Sequence, residues 1–257
     1  RLGRRLKQHA FDQASVLPNT WKSALVPFFA DIPVRSGYAG EFRYGLLNLT
    51  YRNKRGREAM AVHYARLSEQ PGTEPELPLP FPSLKVDPEQ IKATSARFGI
   101  SGPYTVLCPG AEYGPAKRWP HFRELASKLD SQIILLGSSS DKKDAEQIPG
   151  RNLAGQTTLD EAIDLIAGAA AVVTNDSGLM HVAAATGTPQ VALFGSSSPE
   201  HTPPLSSAAR VLWLKLECSP CYARACPLGH FRCMKEISVA QVLEEMKKSG
   251  PGPVHSP

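Results

Sequence analysis

From residue 104 onward, short apolar runs alternate with amphipathic stretches at regular spacing. Residues 104–108 form an apolar run closed by Pro109-Gly110, the length and punctuation of a buried strand. Trp119-Pro120 opens a predicted helix in which Phe122, Leu125, Ala126 and Leu129 recur at helical spacing, with Pro120 where a missing N–H costs least. A strand is predicted over 132–136, followed by Gly137-Ser138-Ser139-Ser140 and a charged helix from Asp141. A short strand over 152–155 and a helix over 159–170 come next, then a strand over 171–174, a helix over 179–186 ended by Gly187, and strands over 191–194 and 211–214. Strands alternating with helices imply βαβ crossovers and a parallel sheet. Such a sheet binds ligands beyond the carboxyl ends of its strands. The loops after Cys108, Leu136, Gly155, Thr174 and Phe194 are therefore where chemistry is expected.

The first hundred residues carry a thinner pattern. A basic helix is predicted over 1–10, a strand over 11–17, an apolar helix over 22–29 and a strand over 34–38. Prolines 71, 75, 78, 80, 82 and 88 crowd the next stretch, which reads as a connection anchored by Leu77, Leu79, Phe81 and Leu84. The expected organisation is α/β throughout: a partial N-terminal domain over 1–84, a C-terminal domain over 85–248 and a disordered tail over 249–257. An α/β domain that opens on a helix feeding a middle strand is expected to lack its first strand, loop and helix. A small three-strand cap is the alternative.

The chain has 257 residues, 42% hydrophobic and 21% charged, the balance of a globular protein with a substantial core. No apolar run reaches the ~18 residues needed to span a bilayer. The net charge of +5 comes without a long basic run interleaved with aromatics, so nucleic acid is not an expected partner. The excess suits anionic small molecules or a phosphate-bearing membrane surface.

Two segments carry the candidate chemistry. Thr174-Asn175-Asp176-Ser177-Gly178-Leu179-Met180-His181 reads as strand, sharp turn and helix. The turn places backbone N–H groups at a helix N-terminus, where partial positive charge and unpaired donors favour phosphate. Simple capping would explain Asp176 or Ser177 alone, but not Asn175, Gly178 and His181 around the same turn. The second segment, from Cys108 to Pro120, sets Lys117 and Arg118 just before a helix start. A Lys there reaches a diphosphate as a point charge, an Arg as a fork; solvated loop cations are the bland alternative. No Asp-x-Asp pattern is present, which favours diphosphate binding by the helix terminus and Lys117 over a bridging metal, with no cofactor required.

The string Pro109-Gly110, Lys117-Arg118-Trp119-Pro120, Asn152-Leu153-Ala154-Gly155 and the run from Thr174 to Ala185 resembles the ADP-heptose:lipopolysaccharide heptosyltransferases of glycosyltransferase family 9, and among them the second-heptose members. The first half agrees, in Val16-Leu17-Pro18-Asn19-Thr20, in Lys22-Ser23-Ala24-Leu25 and in the stretch from Gly37 to Asn48. The resemblance spans roughly residues 10–248. It implies a GT-B fold of two Rossmann-like parallel-sheet domains, the N-terminal one incomplete. It also implies an inverting transfer of L-glycero-D-manno-heptose from ADP-heptose to the first heptose of the lipopolysaccharide inner core. That would make this a cytoplasmic enzyme peripheral to the inner membrane. By resemblance, Lys117, Thr157, Asp176, Ser177, Gly178 and His181 surround the donor. Arg35, Glu41 and Arg43 are acceptor candidates, whereas the basic run from Arg52 to Arg57 reads first as a solvated loop. The family's general base is an Asp in the first strand–helix loop. No residue here matches it, its place is expected before Arg1, and Asp12 is a poor substitute. The chain is therefore expected to be inactive as it stands. A donor-binding module, or a transferase using another nucleotide-sugar, are the competing readings.

Four of the five cysteines, Cys218, Cys221, Cys226 and Cys233, fall close together near His230. Four thiolates can close a tetrahedral zinc site, although the spacing is not that of the usual two close pairs. Reduced or partly paired thiols in a packed loop are the other reading.

Overall fold

The computed structural model describes residues 1–53 and 58–248. The tail over 249–257, and Lys54 to Arg57 of the basic run, lie outside the described residues. The chain divides into two compact units, Arg1–Pro80 and Phe81 onward. The division comes earlier than residue 84 because the Leu84 N–H donates to the Ala185 carbonyl at 2.8 Å, which ties that part of the proline-rich stretch to the second unit. Leu77, Phe81 and Leu84 do not anchor the stretch by burial; all three are exposed.

The first unit contains α1 (Leu2–Leu6), β1 (Gln13–Val16), α2 (Trp21–Phe29), β2 (Val34–Tyr38), β3 (Leu49–Tyr51) and α3 (Met60–Ala65). Its sheet is parallel in the order β1-β2-β3. The first strand is shorter than its apolar pattern because the ladder to β2 runs only from Gln13 to Val16, leaving Phe11 and Leu17 exposed. Val16, Ala24 and Leu47 form one small core, and Tyr38, Tyr51 and Leu67 another.

The second unit runs through α4 (Pro88–Arg97), β4 (Tyr104–Cys108), α5 (Phe122–Ala126), β5 (Gln132–Leu135), α6 (Lys142–Ala145), β6 (Arg151–Asn152), α7 (Leu159–Ala167), β7 (Ala171–Asn175), α8 (Gly178–Thr186), β8 (Gln190–Phe194), β9 (Ala209–Trp213), α9 (Arg232–Lys235) and α10 (Val239–Lys248). Its six strands form one parallel sheet in the order β6-β5-β4-β7-β8-β9. Every residue of β4 and β8 is buried, as expected of strands covered by helices on both faces. One core layer gathers Leu107, Leu125, Leu135, Leu193 and Met234; the other gathers Val106, Ile134, Leu165, Ile166 and Val172. Alternate strand residues feed opposite layers, as the period of two requires. Helix starts follow local chemistry. Asp87 accepts from the Glu89 N–H ahead of α4, and Thr158 with Glu161 makes a reciprocal capping box on α7.

Candidate functional site

From β4 the chain builds outward to β5 and β6, whereas β8 and β9 build outward from β7 on the other side. This reversal opens a crevice between the carboxyl ends of β4 and β7, the usual ligand position in an open α/β sheet. Cys108 leads into one wall of it and Asn175 into the other.

Asn175 is fully buried and holds the two walls together. Its Nδ2 donates to the Pro109 carbonyl at 2.8 Å, and its Oδ1 accepts from the Trp119 N–H at 3.1 Å. The Lys117 loop is thereby pinned at both ends to the end of β7. Lys117 Nζ then meets Asp176 Oδ2 at 2.5 Å, and Ser197 Oγ donates to the same carboxylate oxygen, also at 2.5 Å. Asp176 is 6% exposed, so the carboxylate is oriented from both sides by groups on separate loops.

The N-terminus of α8 lies directly after this cluster. Ser177 occupies the N-cap position in extended conformation, but its side chain makes no cap bond. Its hydroxyl lies instead 3.3 Å from that of Thr174. The first-turn N–H groups of α8 are thus left without the side-chain acceptor that α4 and α7 possess, where an anion gains most. A side chain at Gly178 would project into open space, with nothing within 4 Å. One turn on, His181 has its pKa lowered from 6.5, chiefly by desolvation of the ring and further by Lys117, while Asp176 opposes the shift. Neutral imidazole is therefore the form at neutral pH, although much of the residue meets solvent.

Beside the α8 terminus is a cavity of about 380 Å³. Leu136, Leu159, Ala162, Leu179 and Val182 supply an apolar wall; Gly110, Glu112, Ser138, Thr157 and Ser177 supply a polar rim. Leu159 is 66% exposed at the start of α7, an apolar surface without a partner from the protein. The floor depends on Asp141, whose Oδ2 accepts from the Ser138 N–H at 2.9 Å and hydroxyl at 2.6 Å. A Cβ at Gly110 would collide with that carboxylate. The arrangement offers an apolar slot, a bare helix N-terminus and a cation in sequence, which suits a nucleoside followed by a diphosphate.

The glycosyltransferase family 9 (heptosyltransferase) model matches residues 1–232. The chain belongs to glycosyltransferase family 9. Among family relatives, it is 44% identical to lipopolysaccharide heptosyltransferase 2 of Escherichia coli K12 across 96% of this chain and 77% of that protein. It is also 44% identical to lipooligosaccharide heptosyltransferase 2 of Haemophilus influenzae across 83% of this chain and 68% of that protein. The solved ADP-heptose lps heptosyltransferase II of E. coli superposes with a TM-score of 0.86 at 42% identity, covering 96% of this chain and 78% of that one. The GT-B architecture of family 9 is thus the architecture of this chain.

Of the family 9 donor residues expected from sequence, Lys117, Asp176, Ser177, Gly178 and His181 gather at the crevice, and Thr157 lines the adjoining cavity. Sequence reasoning expected donors in the loop that carries Ser197 without pairing it with Asp176, and did not single out Asp141 or the wall residue Leu159. The Ser138-x-x-Asp141 spacing is a capping-box signature and could have exposed Asp141. The bond from Ser197 to Asp176 spans loops far apart in sequence and left no local mark.

The acceptor candidates are placed differently from expectation. Arg43 is 2% exposed. Its guanidinium donates to the carbonyls of Pro18 and Tyr38 and to Asn19, and burial lowers its pKa. Arg35 donates to the carbonyls of Leu46 and Ile32. Glu41 Oε2 accepts from the Trp21 N–H at 2.9 Å, at the start of α2. All three hold loops of the first unit together rather than converging on a common space. Arg52 is exposed.

Cys218, Cys221, Cys226 and Cys233 line one small void with His230 and Ser196, and all are free thiols. Among the described residues, no group of three or more His, Cys, Asp or Glu is arranged to hold a metal ion. Cys226 Sγ accepts from the Phe231 N–H at 3.5 Å, Cys221 is exposed and Cys233 is buried. Backbone N–H groups, Phe231 first, lower the Cys226 pKa, whereas burial and then the neighbouring thiols raise that of Cys233.

Proposed function

We propose that this chain is a lipopolysaccharide heptosyltransferase that takes heptose from ADP-heptose and transfers it, with inversion, to the first heptose of the inner core. The observation that carries this is the uncapped α8 N-terminus set between the Lys117–Asp176–Ser197 cluster and an apolar-walled cavity. Adenine fits the slot bounded by Leu136, Leu159 and Leu179. The diphosphate then meets the N–H groups of Gly178 and Leu179 and the Lys117 ammonium, which leaves heptose near His181 and Asp176.

In the transfer the bond from the anomeric carbon to the β-phosphate oxygen breaks, ADP keeps the electron pair, and the acceptor oxygen forms the new bond as its proton leaves to a base. Charge grows on the departing diphosphate, so fixed donors there stabilise the transition state more than the ground state. Neutral His181 hydrogen-bonds sugar hydroxyls without adding charge. The acceptor is a lipid-anchored saccharide, which places the work at the cytoplasmic surface of the inner membrane. The net charge of +5 suits such a surface, and among the described residues no helix is long and apolar enough to cross a membrane.

Calorimetric titration with ADP, UDP and GDP tests the donor, and mass spectrometry of an inner-core acceptor bearing one heptose tests the transfer. ADP is expected to bind tightest, and the acceptor to gain one heptose once a general base is supplied, since no residue of this chain is assigned that role. Equal affinity for UDP would remove the nucleotide assignment, and heptose transfer to acceptors lacking the first heptose would remove the acceptor assignment.

A further inference from the structure

The cations around the diphosphate position are largely neutralised by the protein itself. Lys117 is paired with Asp176 at 2.5 Å. Arg118 is paired with Asp144 and lies 3.5 Å from Asp141. A nucleoside diphosphate-sugar carries two negative charges, so a helix terminus plus one already paired Lys leaves it under-compensated.

The cysteine-rich segment brings another cation to the ring that Lys117 meets. Arg224 is exposed and has no carboxylate partner among the described residues. Its guanidinium carbon lies 5.4 Å from the centre of the Tyr113 ring, and Lys117 Nζ lies 5.0 Å from that same centre. The position is enforced by backbone. The Arg224 carbonyl accepts from the Ala116 N–H at 3.1 Å, and a Cβ at Gly114 would collide with it. Tyr113 donates to the Tyr222 carbonyl at 2.6 Å, and the Tyr222 N–H donates to the Ser196 carbonyl at 2.7 Å. The segment is thus stitched to the loop bearing Lys117 and to the loop bearing Ser197.

We propose that Arg224 is a second phosphate-binding cation of the donor site, held beside Lys117 by their shared contact with Tyr113 and delivered by the cysteine-rich segment. This rests on the donor reading above and extends it. Arg supplies what Lys117 lacks: a planar fork for two phosphate oxygens and a charge not already held by a carboxylate. The segment's role at the site is then to carry a guanidinium.

The test compares ADP with adenosine, by calorimetry at several salt concentrations, in the unmodified protein, Arg224→Gln and Arg224→Lys. Charge-assisted bonds to phosphate predict about a tenfold or greater loss of ADP affinity in Arg224→Gln, with adenosine affinity unchanged and a shallower salt dependence. Arg224→Lys should recover part of the loss. An exposed side chain in one cation–ring contact with Tyr113 should change the melting temperature little, which separates binding from folding. If the unmodified protein binds ADP no better than adenosine, the donor reading itself fails. If it prefers ADP and Arg224→Gln keeps that preference with the same salt slope, the role of Arg224 is overturned.

Discussion

At the scale of single residues, the site is arranged so that charge state matters more than shape. His181 has a folded pKa below 6.5. As pH falls through the window beneath 6.5, the unfolded chain takes up a proton before the folded one, and the stability present above 6.5 is lost. A bound diphosphate reverses the preference, because it favours imidazolium. ADP-heptose, whose diphosphate has no proton to gain in this range, is therefore expected to bind more tightly with proton uptake as pH drops from 7 to below 6. Calorimetry in buffers of different ionisation enthalpy measures that uptake, and His181→Gln should abolish it. The thiols give a second contrast. Cys108 is buried with its pKa pushed up to about 12, and Cys233 is also raised, whereas Cys226 is lowered by surrounding N–H groups. Since the thiolate is the nucleophile, alkylation followed by mass spectrometry should modify Cys226 before Cys233, and Cys108 only on unfolding. Early labelling of Cys108 would contradict the buried β4.

At the scale of elements, two glycines at the crevice answer to different constraints. Gly178 has open space where a Cβ would go, and its backbone is not in the left-handed region. Gly178→Ala should leave the melting temperature the same or slightly higher, Ala being the better helix former by up to about 1 kcal/mol. ADP affinity should fall nonetheless, because the methyl enters space reserved for phosphate. Gly110→Ala must displace the buried Asp141 carboxylate, and with it the two bonds that shape the loop after β5. It should destabilise by roughly 1–3 kcal/mol in denaturant titration. These elements were also the legible part of the sequence. The strands β4, β5, β7 and β8 and the helices α7 and α8 were read to within a few residues, because strands buried on both faces leave uninterrupted apolar runs between glycine and proline. Three-residue β3 carries too short a signal to be read as a strand, and the short strand expected over 152–155 forms only at Arg151–Asn152. Helix α4, with a mostly polar surface, left little pattern either. Asp176, Ser177, Gly178 and His181 were legible as a group because they share one turn, and Lys117 because it stands shortly before a helix start. The contacts of Arg35, Glu41 and Arg43 were not legible, because a charged side chain bonded to backbone carbonyls or a helix start is written in the same letters as one that faces a ligand.

At the scale of the whole molecule, the second unit concentrates both the largest core and every residue proposed above for the donor site. Its loops are not independent. Asn175 joins the Pro109 and Trp119 ends of one loop to β7, Asp176 draws in Lys117 and Ser197, and Tyr222 ties the cysteine-rich segment to Ser196. A ligand that satisfies the α8 terminus should therefore quiet several distant stretches together. Hydrogen exchange with saturating ADP is expected to slow amides in 110–118, 177–180 and 195–198 in concert. The linked stabilisation is about 2.7 kcal/mol at a hundredfold excess over Kd. Asn175→Ala removes two buried bonds and leaves their partners unsatisfied, at roughly 1–3 kcal/mol each, so the variant should lose the concerted response even where it remains folded. Protection confined to 177–180 in the unmodified protein would mean that the helix terminus binds alone and that the walls of the crevice are coupled only in the absence of ligand.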